Sequence, residues 1–208
     1  MLVLITGKAG SGKDTIGGYL KNEYGFETDS LAAPIKRLVK DVFVLPEEVV
    51  YDRELREKEL GDPWIGMTVR SLLQKIGTEL FRDKIHKDVW VLSLLRRISS
   101  APQFNWVVTD LRFPNEKDVL EKRYEGKIVT IKVSRPGKTG KTDGGIKGHE
   151  SESYDIHADF SVENKGSFED LYRQIDEIME QNGLISFSKK RDLNAIKIAG
   201  EILEQNGI

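Results

Sequence analysis

The feature that most constrains this chain is a glycine-rich segment between an apolar strand pattern and a helix pattern. Leu2–Thr6 is an unbroken apolar run of β-favouring residues, typical of a strand buried on both faces. Residues 7–15 then read GKAGSGKDT, and a helix pattern extends from about Lys13 to Asn22. Small residues with a free φ angle let successive backbone N–H groups converge on phosphate oxygens, and the helix N-terminus adds partial positive charge. This context predicts a phosphate-binding loop.

Within the loop, Lys13 is expected to reach the β- and γ-phosphates of a nucleotide. The common form of the motif places Ser or Thr directly after the lysine, whereas here Asp14 intervenes and Thr15 follows. Thr15 is nevertheless the candidate Mg²⁺ ligand of the loop. The residues expected to hold the nucleotide are Gly10, Ser11, Gly12, Lys13, Asp14 and Thr15.

Strand and helix patterns alternate along the rest of the chain. Further strands are predicted at about 25–29, 104–109, 127–134 and 158–162, and helical periodicities lie between and after them. Such alternation predicts an α/β fold with a mainly parallel sheet. The 208 residues suffice for one domain with a sizeable core.

Composition excludes several classes of protein. The 32 Lys and Arg against 34 Asp and Glu argue against a general nucleic-acid binder. The absence of cysteine rules out a disulfide scaffold or a thiolate metal site, and the three histidines argue against a His-rich zinc site. No apolar run approaches the roughly 18 residues of a membrane span. We expect a soluble cytoplasmic protein without nucleic-acid or membrane partners.

An acid and an arginine follow the strand pattern that reads WVVT at residues 106–109. Asp110 is expected at the carboxyl end of this strand, where open α/β sheets bind ligands, and could hold Mg²⁺. Arg112 offers a planar fork suited to a phosphate. Glu116, in the first turn of the next helix, could orient Arg112 or contact substrate, although an acid there also fits the helix dipole alone.

A helix pattern over Thr68–Lys84 places Arg70, Gln74 and Gly77 on one face. A mid-helix glycine costs about 1 kcal/mol relative to alanine, so Gly77 suggests a packing or ligand requirement. Such a face could recognise a phosphate and a base, or could simply be solvated. Trp90, on the next helix, could stack on a nucleobase or belong to the core.

The region from about 135 to 157 is predicted to be a glycine- and lysine-rich loop. A long loop in a compact domain is typically functional or disordered, and this composition suits a lid that excludes water. A flexible linker is the alternative. His149 and Glu152, near its end, could contact the acceptor or order the lid, or could simply begin a helix. The cationic lid candidates are Arg135, Lys138, Lys141 and Lys147.

A short turn follows the last predicted strand and reads ENKGS at residues 163–167. Asn164 and Gly166 are candidates to border the nucleotide base. Ser167 as a helix N-cap would explain the same turn without a ligand.

Together these motifs resemble those of the deoxynucleoside monophosphate kinases of bacteriophages, a branch of the P-loop kinases. The resemblance spans most of residues 1–170 and implies a three-layer α/β/α fold in a single domain over 1–208. It also implies a parallel five-stranded sheet of order 2-3-1-4-5, a helical monophosphate-binding region at about 31–100 and a lid at about 135–157. An extra C-terminal helix is predicted at about 189–205. The matching segments are GKAGSGKDT, TVRSLLQKIGTE, DVW, WVVTDLRFPNE, HESE and ADFSVENKGS.

The resemblance further implies transfer of a phosphoryl group from ATP·Mg²⁺ to a deoxynucleoside monophosphate (dNMP), for dNTP synthesis. Lys13 would hold the transferring phosphate and Asp110 the metal or the acceptor, while Arg70 and Arg112 would grip the dNMP phosphate. The lid lacks the paired arginines of adenylate kinases. Such a protein would be a monomer or homodimer, in the host cytoplasm if phage-encoded. The remaining predicted dNMP contacts are Gln74, Trp90, Glu116, His149 and Glu152.

Two alternatives remain open at this point. Dephospho-CoA kinases share the phosphate loop, a lid and a similar final turn, but they phosphorylate a hydroxyl and would need a base such as Asp29. A non-catalytic nucleotide-binding switch would need no acceptor site. The RFPNE segment with Arg70 favours a phosphate acceptor over the first, and the basic loop argues against the second.

Overall fold

The computed structural model describes residues 1–137 and 154–190. Its strands form one five-stranded sheet of order β2-β3-β1-β4-β5, in which every neighbouring pair is parallel. The predicted α/β class and the 2-3-1-4-5 order are therefore confirmed. The strands are β1 (Leu2–Thr6), β2 (Glu27–Asp29), β3 (Trp106–Val108), β4 (Ile128–Ser134) and β5 (Phe160–Glu163).

Helices cover both faces of the sheet and complete the three layers. They are α1 (Lys13–Tyr24), α2 (Ala33–Val42), α3 (Glu47–Tyr51), α4 (Val69–Gln74), α5 (Val89–Ser99), α6 (Pro114–Arg123) and α7 (Phe168–Gln181). Side chains of the central strand β1 alternate between the two faces. Leu2 and Leu4 join a core with α2, α4, α5 and α6, whereas Val3 and Ile5 join a core with α1 and α7.

The helix predicted over Thr68–Lys84 is present but changes its winding. Thr68 caps α4, because its hydroxyl accepts a hydrogen bond from the Ser71 N–H at 3.0 Å. The chain then continues as a π-helical segment, Lys75–Arg82. Gly77 allows this segment to approach α2, since a Cβ on Gly77 would lie 3.0 Å from Ile35 Cδ1. Wide turns of this kind are frequent at functional sites.

The charged stretch between α3 and α4 has its own local structure. It contains a 3₁₀ turn (Leu55–Glu57), and Glu59 pairs with Thr68 in an isolated antiparallel bridge. Leu60 is buried in the core. The stretch is therefore tied to the domain, and it carries arginines to the ligand-binding edge of the sheet.

Two sequence-based predictions extend beyond the described residues. Positions 138–153 of the predicted lid and positions 191–205 of the predicted final helix lie outside them. In the parts of the chain that the structure describes, helices are too short or too polar to cross a membrane.

Candidate active site

The phosphate loop lies between β1 and α1, as predicted, and its backbone requires glycine. Gly7 has φ +146° and Gly12 has φ +108°. A Cβ on Gly7 would lie 2.3 Å from the Val133 carbonyl oxygen, and one on Gly12 would lie 2.5 Å from Asn164 Nδ2. Any side chain at these positions would therefore be strained and would also clash with the neighbouring strand or turn.

Lys13 lies within the loop that precedes it. Its Nζ donates hydrogen bonds to the carbonyl oxygens of Gly7 at 2.8 Å and Lys8 at 2.9 Å. Burial lowers the pKa of Lys13 to about 8, Asp14 opposes that shift, and Arg112 adds to it. An anion bound in the loop would stabilise the charged ammonium, which is the chemistry that a phosphate supplies.

Asn164 fastens the loop to the end of β5. Its Nδ2 donates to the Ser11 carbonyl oxygen at 2.9 Å, and its Oδ1 accepts from the Gly166 N–H at 3.0 Å. Its own N–H donates to the Ser134 carbonyl oxygen at 2.8 Å. The structure thus brings Asn164 and Gly166 to the phosphate loop. Their contact with a nucleotide base remains a prediction.

The first turn of α1 carries the two oxygen-bearing side chains that follow Lys13. Asp14 is exposed and accepts a hydrogen bond from the Thr109 hydroxyl at 3.0 Å. Thr15 is half-buried one residue further along. Both side chains therefore lie at the edge of the loop where a nucleotide's phosphates would be held.

Asp110 lies beyond the end of β3 and fixes the turn that leads into α2. Its Oδ1 accepts from the Leu31 N–H and its Oδ2 from the Ala32 N–H, each at 2.9 Å. Burial raises the pKa of Asp110, while these two hydrogen bonds and the charge of Arg112 oppose the shift. Each carboxylate oxygen accepts one of these bonds and keeps capacity for a second partner.

A cationic pocket lies beside the loop at the same edge of the sheet. Its basic side chains are Lys36, Arg56, Arg70 and Arg112. The structure brings five predicted residues together in its wall: Arg70, Gln74, Asp110, Arg112 and Glu116. The other lining residues are Leu31, Ala32, Ile35, Leu73, Gly77, Thr78 and Phe113. A pocket lined by four basic side chains and several apolar ones suits a phosphorylated ligand that also has a ring.

Glu116 holds the turn that presents Arg112. Its Oε2 accepts hydrogen bonds from the N–H groups of Arg112 and Phe113, both at 3.0 Å. Burial raises the pKa of Glu116 to about 7. Arg82 lies 3.9 Å from Glu116 Oε1 and stacks 3.6 Å above the Phe113 ring centroid. This arrangement favours the orienting role that the sequence suggested for Glu116.

Trp90 does not line the pocket. It is buried in the core, where its Nε1–H donates to the Gly77 carbonyl oxygen at 2.8 Å and its ring lies 4.9 Å from that of Phe81. The structure places it behind the pocket wall, where it supports the π-helical segment. The structure therefore favours the core interpretation of Trp90 over a position beside the nucleoside.

The remaining predicted residues lie either away from the pocket or outside the described part of the chain. Arg135 is exposed just after β4 and is not among the pocket-lining residues. Five predicted residues lie outside the described part of the chain: Lys138, Lys141, Lys147, His149 and Glu152.

Sequence reasoning missed Lys36, Arg53 and Arg56. Lys36 and Arg56 line the cationic pocket, and the Arg53 guanidinium lies against the loop at Gly10. The available signal was the acid-rich run DRELRE at residues 52–57, in which two arginines are spaced one helical turn apart. Such a run is more often a solvated surface, so the pattern alone did not distinguish the two cases.

Asp29, the candidate base of the hydroxyl-phosphorylating alternative, is engaged elsewhere. Arg97 binds it through two hydrogen bonds, Nε to Oδ2 at 2.8 Å and Nη2 to Oδ1 at 3.1 Å. The Ser30 N–H donates to the same carboxylate at 2.7 Å. Asp29 is absent from the residues that line the cationic pocket.

A parallel 2-3-1-4-5 sheet with a phosphate loop after β1 defines the class of P-loop kinases. Solved structures support this fold. The shikimate kinase of Aquifex aeolicus is 15% identical, with a TM-score of 0.50 over 88% of this chain and 98% of its own. A sugar kinase from a Janibacter species is also 15% identical, with a TM-score of 0.50 over 86% of this chain and 94% of its own.

Sequence relatives narrow this class to one family. A profile of the deoxynucleotide monophosphate kinases matches residues 51–175. An Acanthamoeba polyphaga mimivirus protein assigned as a deoxynucleotide monophosphate kinase is 33% identical over 196 residues, covering 84% of this chain and 94% of the relative. The deoxynucleoside-5'-monophosphate kinase of Escherichia phage T5 is 32% identical over 95 residues, covering 46% of this chain and 35% of the relative. The chain belongs to the deoxynucleotide monophosphate kinase family and is a nucleotide kinase.

Proposed function

We propose that the protein transfers the γ-phosphoryl group of ATP to the 5'-phosphate of a dNMP, giving ADP and a deoxynucleoside diphosphate. The observation that carries this proposal is the cationic pocket next to the phosphate loop. Arg112 and Asp110 of that pocket are close enough to Lys13 to influence its pKa. Two anionic substrates bound at these neighbouring places would meet between Lys13 and Arg112.

The reaction needs positioning and charge neutralisation more than proton transfer. An oxygen of the acceptor phosphate forms the new bond to the γ-phosphorus, and the bond from that phosphorus to the β,γ-bridging oxygen breaks. The acceptor oxygen is already ionised at neutral pH, so no general base is required. Donors fixed before the reaction stabilise the charge that moves from donor to acceptor.

Each site residue has a proposed role in this reaction. The loop backbone from Gly10 to Thr15 holds the ATP phosphates, and Lys13 neutralises the group in transfer.

Arg70 and Arg112 bind the dNMP phosphate. Gln74 lies where the nucleoside would extend into the pocket, and Glu116 positions the turn of Arg112. Asn164 and Gly166 border the ATP base, while His149 and Glu152 keep their proposed contact with the dNMP.

The donor set fits Mg²⁺ carried in with ATP. Within the described residues, no cluster of three or more His, Cys, Asp or Glu side chains could enclose a metal. Mg²⁺ in kinases is instead held by one or two protein oxygens together with substrate phosphates. The Thr15 hydroxyl and the Asp110 carboxylate would hold it here. When bound, Mg²⁺ neutralises phosphate charge during the transfer.

The same proposal assigns functions to larger parts of a single kinase domain spanning 1–208. The helical region at about 31–100 binds dNMP, and the segment at about 135–157 closes over the substrates through Arg135, Lys138, Lys141 and Lys147. The helix at about 189–205 packs on its own domain or on a second copy, so a monomer and a homodimer are both compatible with this proposal.

A coupled assay of ADP release tests the proposed function. Purified protein with ATP and Mg²⁺ would be offered dAMP, dGMP, dCMP, dTMP, the ribonucleotide counterparts and dephospho-CoA. We expect strong stimulation by one or more dNMPs and none by dephospho-CoA, because Asp29 is paired with Arg97. Stimulation by dephospho-CoA alone, or ATP binding with no acceptor effect, would contradict the proposal.

A further inference from the structure

The segment Asp52–Lys58 brings two arginines to the junction between the phosphate loop and the cationic pocket. We propose that Arg53 contacts the phosphoryl group in transfer and that Arg56 binds the phosphate of the acceptor. This inference rests on the proposed function and assigns residues that neither the sequence motifs nor the family comparison singles out.

Arg53 lies directly on the phosphate loop. Its Nη2 and Nη1 would be 3.1 and 3.4 Å from a Cβ placed on Gly10. Within residues 1–137 and 154–190, its exposed side chain has no hydrogen-bond or ion-pair partner. Its charge contributes to the lowered pKa of Lys13. Two cations that face the same glycine turn are best accommodated when a multiply charged anion lies between them.

Arg56 extends into the cationic pocket itself. Its Nε is fully buried and lacks a hydrogen-bond partner, and its guanidinium has no ion pair with the rest of the described chain. Burial and then the charge of Arg70 lower its pKa, while Glu57 and Asp14 oppose the shift. A half-buried guanidinium beside other cations is stabilised by an anionic partner, and a dNMP phosphate in this pocket would provide one.

The segment holds these side chains on an ordered frame. Asp52 Oδ1 accepts hydrogen bonds from the N–H groups of Glu54 and Leu55, both at 2.8 Å. The Arg56 N–H donates to the Asp52 carbonyl oxygen at 3.2 Å. Glu57 lies 3.7 Å from Arg70, and this ion pair ties the segment to α4. The two guanidiniums are therefore presented by fixed backbone, as preorganised stabilisation of charge requires.

Arg53 and Arg56 supply a pair of guanidinium groups, which the lid sequence lacks. Residues 135–157 contain Arg135 but no second arginine, and the other cations there are lysines. A planar guanidinium can bind two phosphate oxygens at once, whereas an ammonium acts as a point charge. The Arg53 guanidinium would stay in contact with the γ-phosphoryl group while the bond from the γ-phosphorus to the ADP oxygen breaks and the bond to the acceptor oxygen forms.

Steady-state kinetics of Arg53→Ala, Arg56→Ala and the control Lys58→Ala test the inference. Lys58 is exposed in the same segment and lies outside the pocket lining. We expect Arg53→Ala to lower kcat about 100-fold with little change in the KM for dNMP. We expect Arg56→Ala to raise the KM for dNMP about tenfold or more, and Arg56→Lys to recover part of that loss. Lys58→Ala should match the wild type.

The outcomes separate this inference from the proposed function. An active wild type with an Arg53→Ala kcat within about twofold of it would overturn the inference and leave the kinase proposal intact. If the wild type accepts no dNMP, the proposed function fails. The affinity of each variant for a non-hydrolysable ATP analogue then tests whether Arg53 contacts the donor phosphates. An affinity loss of about tenfold in Arg53→Ala but not Lys58→Ala supports the contact with the donor phosphates, and equal affinities overturn it.

Discussion

The phosphate loop and the cationic pocket lie side by side but are built in opposite ways. The loop comes from the contiguous residues 7–15, and its proposed binding groups are backbone N–H groups and the side chain of Lys13. The pocket draws its cations from α2, the segment 52–58, α4 and the turn after β3. A site made of backbone requires only local sequence, whereas a site made of side chains exists only after the chain has folded. The following predictions test this contrast.

Removal of Lys13 should have the largest effect, because its ammonium lies within the phosphate loop. We expect Lys13→Ala to lower kcat about a thousandfold or more, since the exposed Lys8 side chain does not lie within the loop as the Lys13 ammonium does. The fold should persist, because the lost hydrogen bonds go only to two loop carbonyl oxygens. Coupled ADP release and thermal unfolding check both points. Lys21→Ala, exposed in the last turn of α1, is the control, and normal turnover by Lys13→Ala would contradict the loop assignment.

Arg112→Ala should have a smaller effect, confined to the acceptor side. Its backbone N–H, which Glu116 binds, is retained in the variant, so the turn should keep its shape. We expect kcat/KM for dNMP to fall about 30-fold or more while ATP affinity changes about twofold at most. Kinetics with each substrate varied in turn measure the two effects. Arg123→Ala, exposed at the end of α6, serves as control. A loss in ATP affinity alone would move Arg112 to the donor side.

The loop should also respond to pH, because burial lowers the pKa of Lys13 to about 8. Asp14 and Asp110 favour the charged ammonium there, and Arg112 and Arg53 oppose it. ATP phosphates favour the charged form, so above pH 8 binding should take up a proton and weaken by up to about tenfold per pH unit. Calorimetry in buffers of different ionisation enthalpy measures that proton. Lys13→Ala should abolish the uptake, and an unchanged uptake would exclude Lys13 as its source.

The last predicted effect is on stability rather than on activity and arises in the pocket. The folded state raises the pKa of Glu116 from 4.5 to about 7. Between these values the native protein holds a proton that the unfolded chain has released, so this group's contribution to the free energy of unfolding falls as pH rises from 4.5 to 7. Glu116→Gln mimics the protonated group and should gain stability relative to the wild type from pH 5 to pH 8. Denaturant unfolding of both proteins at pH 5 and pH 8 checks this. A difference in the free energy of unfolding that is the same at both pH values would contradict it.

Much of the fold could be predicted because its signals are local. The buried run of β1, the glycine turn after it and the alternation of strand and helix patterns lead to the observed sheet. The winding of residues 75–82 could not be predicted in this way, because a π-helix retains much of the amphipathic pattern of an α-helix. The π-helical segment contains Gly77, which lies close to Ile35, a contact between distant parts of the sequence.

The site residues likewise include some that local sequence predicts and others that only the tertiary structure reveals. Lys13 follows the glycine turn after β1 and Arg112 follows the end of β3, and their type and position in the sequence already predict phosphate chemistry. Arg53 and Arg56 lie in an acidic run whose charge pattern also fits a solvated surface, and only the tertiary structure shows that one lies on Gly10 and the other in the pocket. Trp90 shows the converse, because an aromatic residue of the right type lies behind the wall of the pocket.

The two hydrogen bonds from Leu31 and Ala32 to Asp110 also provide a spectroscopic reporter. Their amide protons can exchange with solvent only when the carboxylate releases them. A substrate or metal ion that draws Asp110 away would therefore accelerate exchange at these two amides, and one that leaves it in place would protect them. Hydrogen–deuterium exchange at residues 31 and 32 thus reads out the engagement of an acidic side chain through its neighbours, without any substitution at the acid itself.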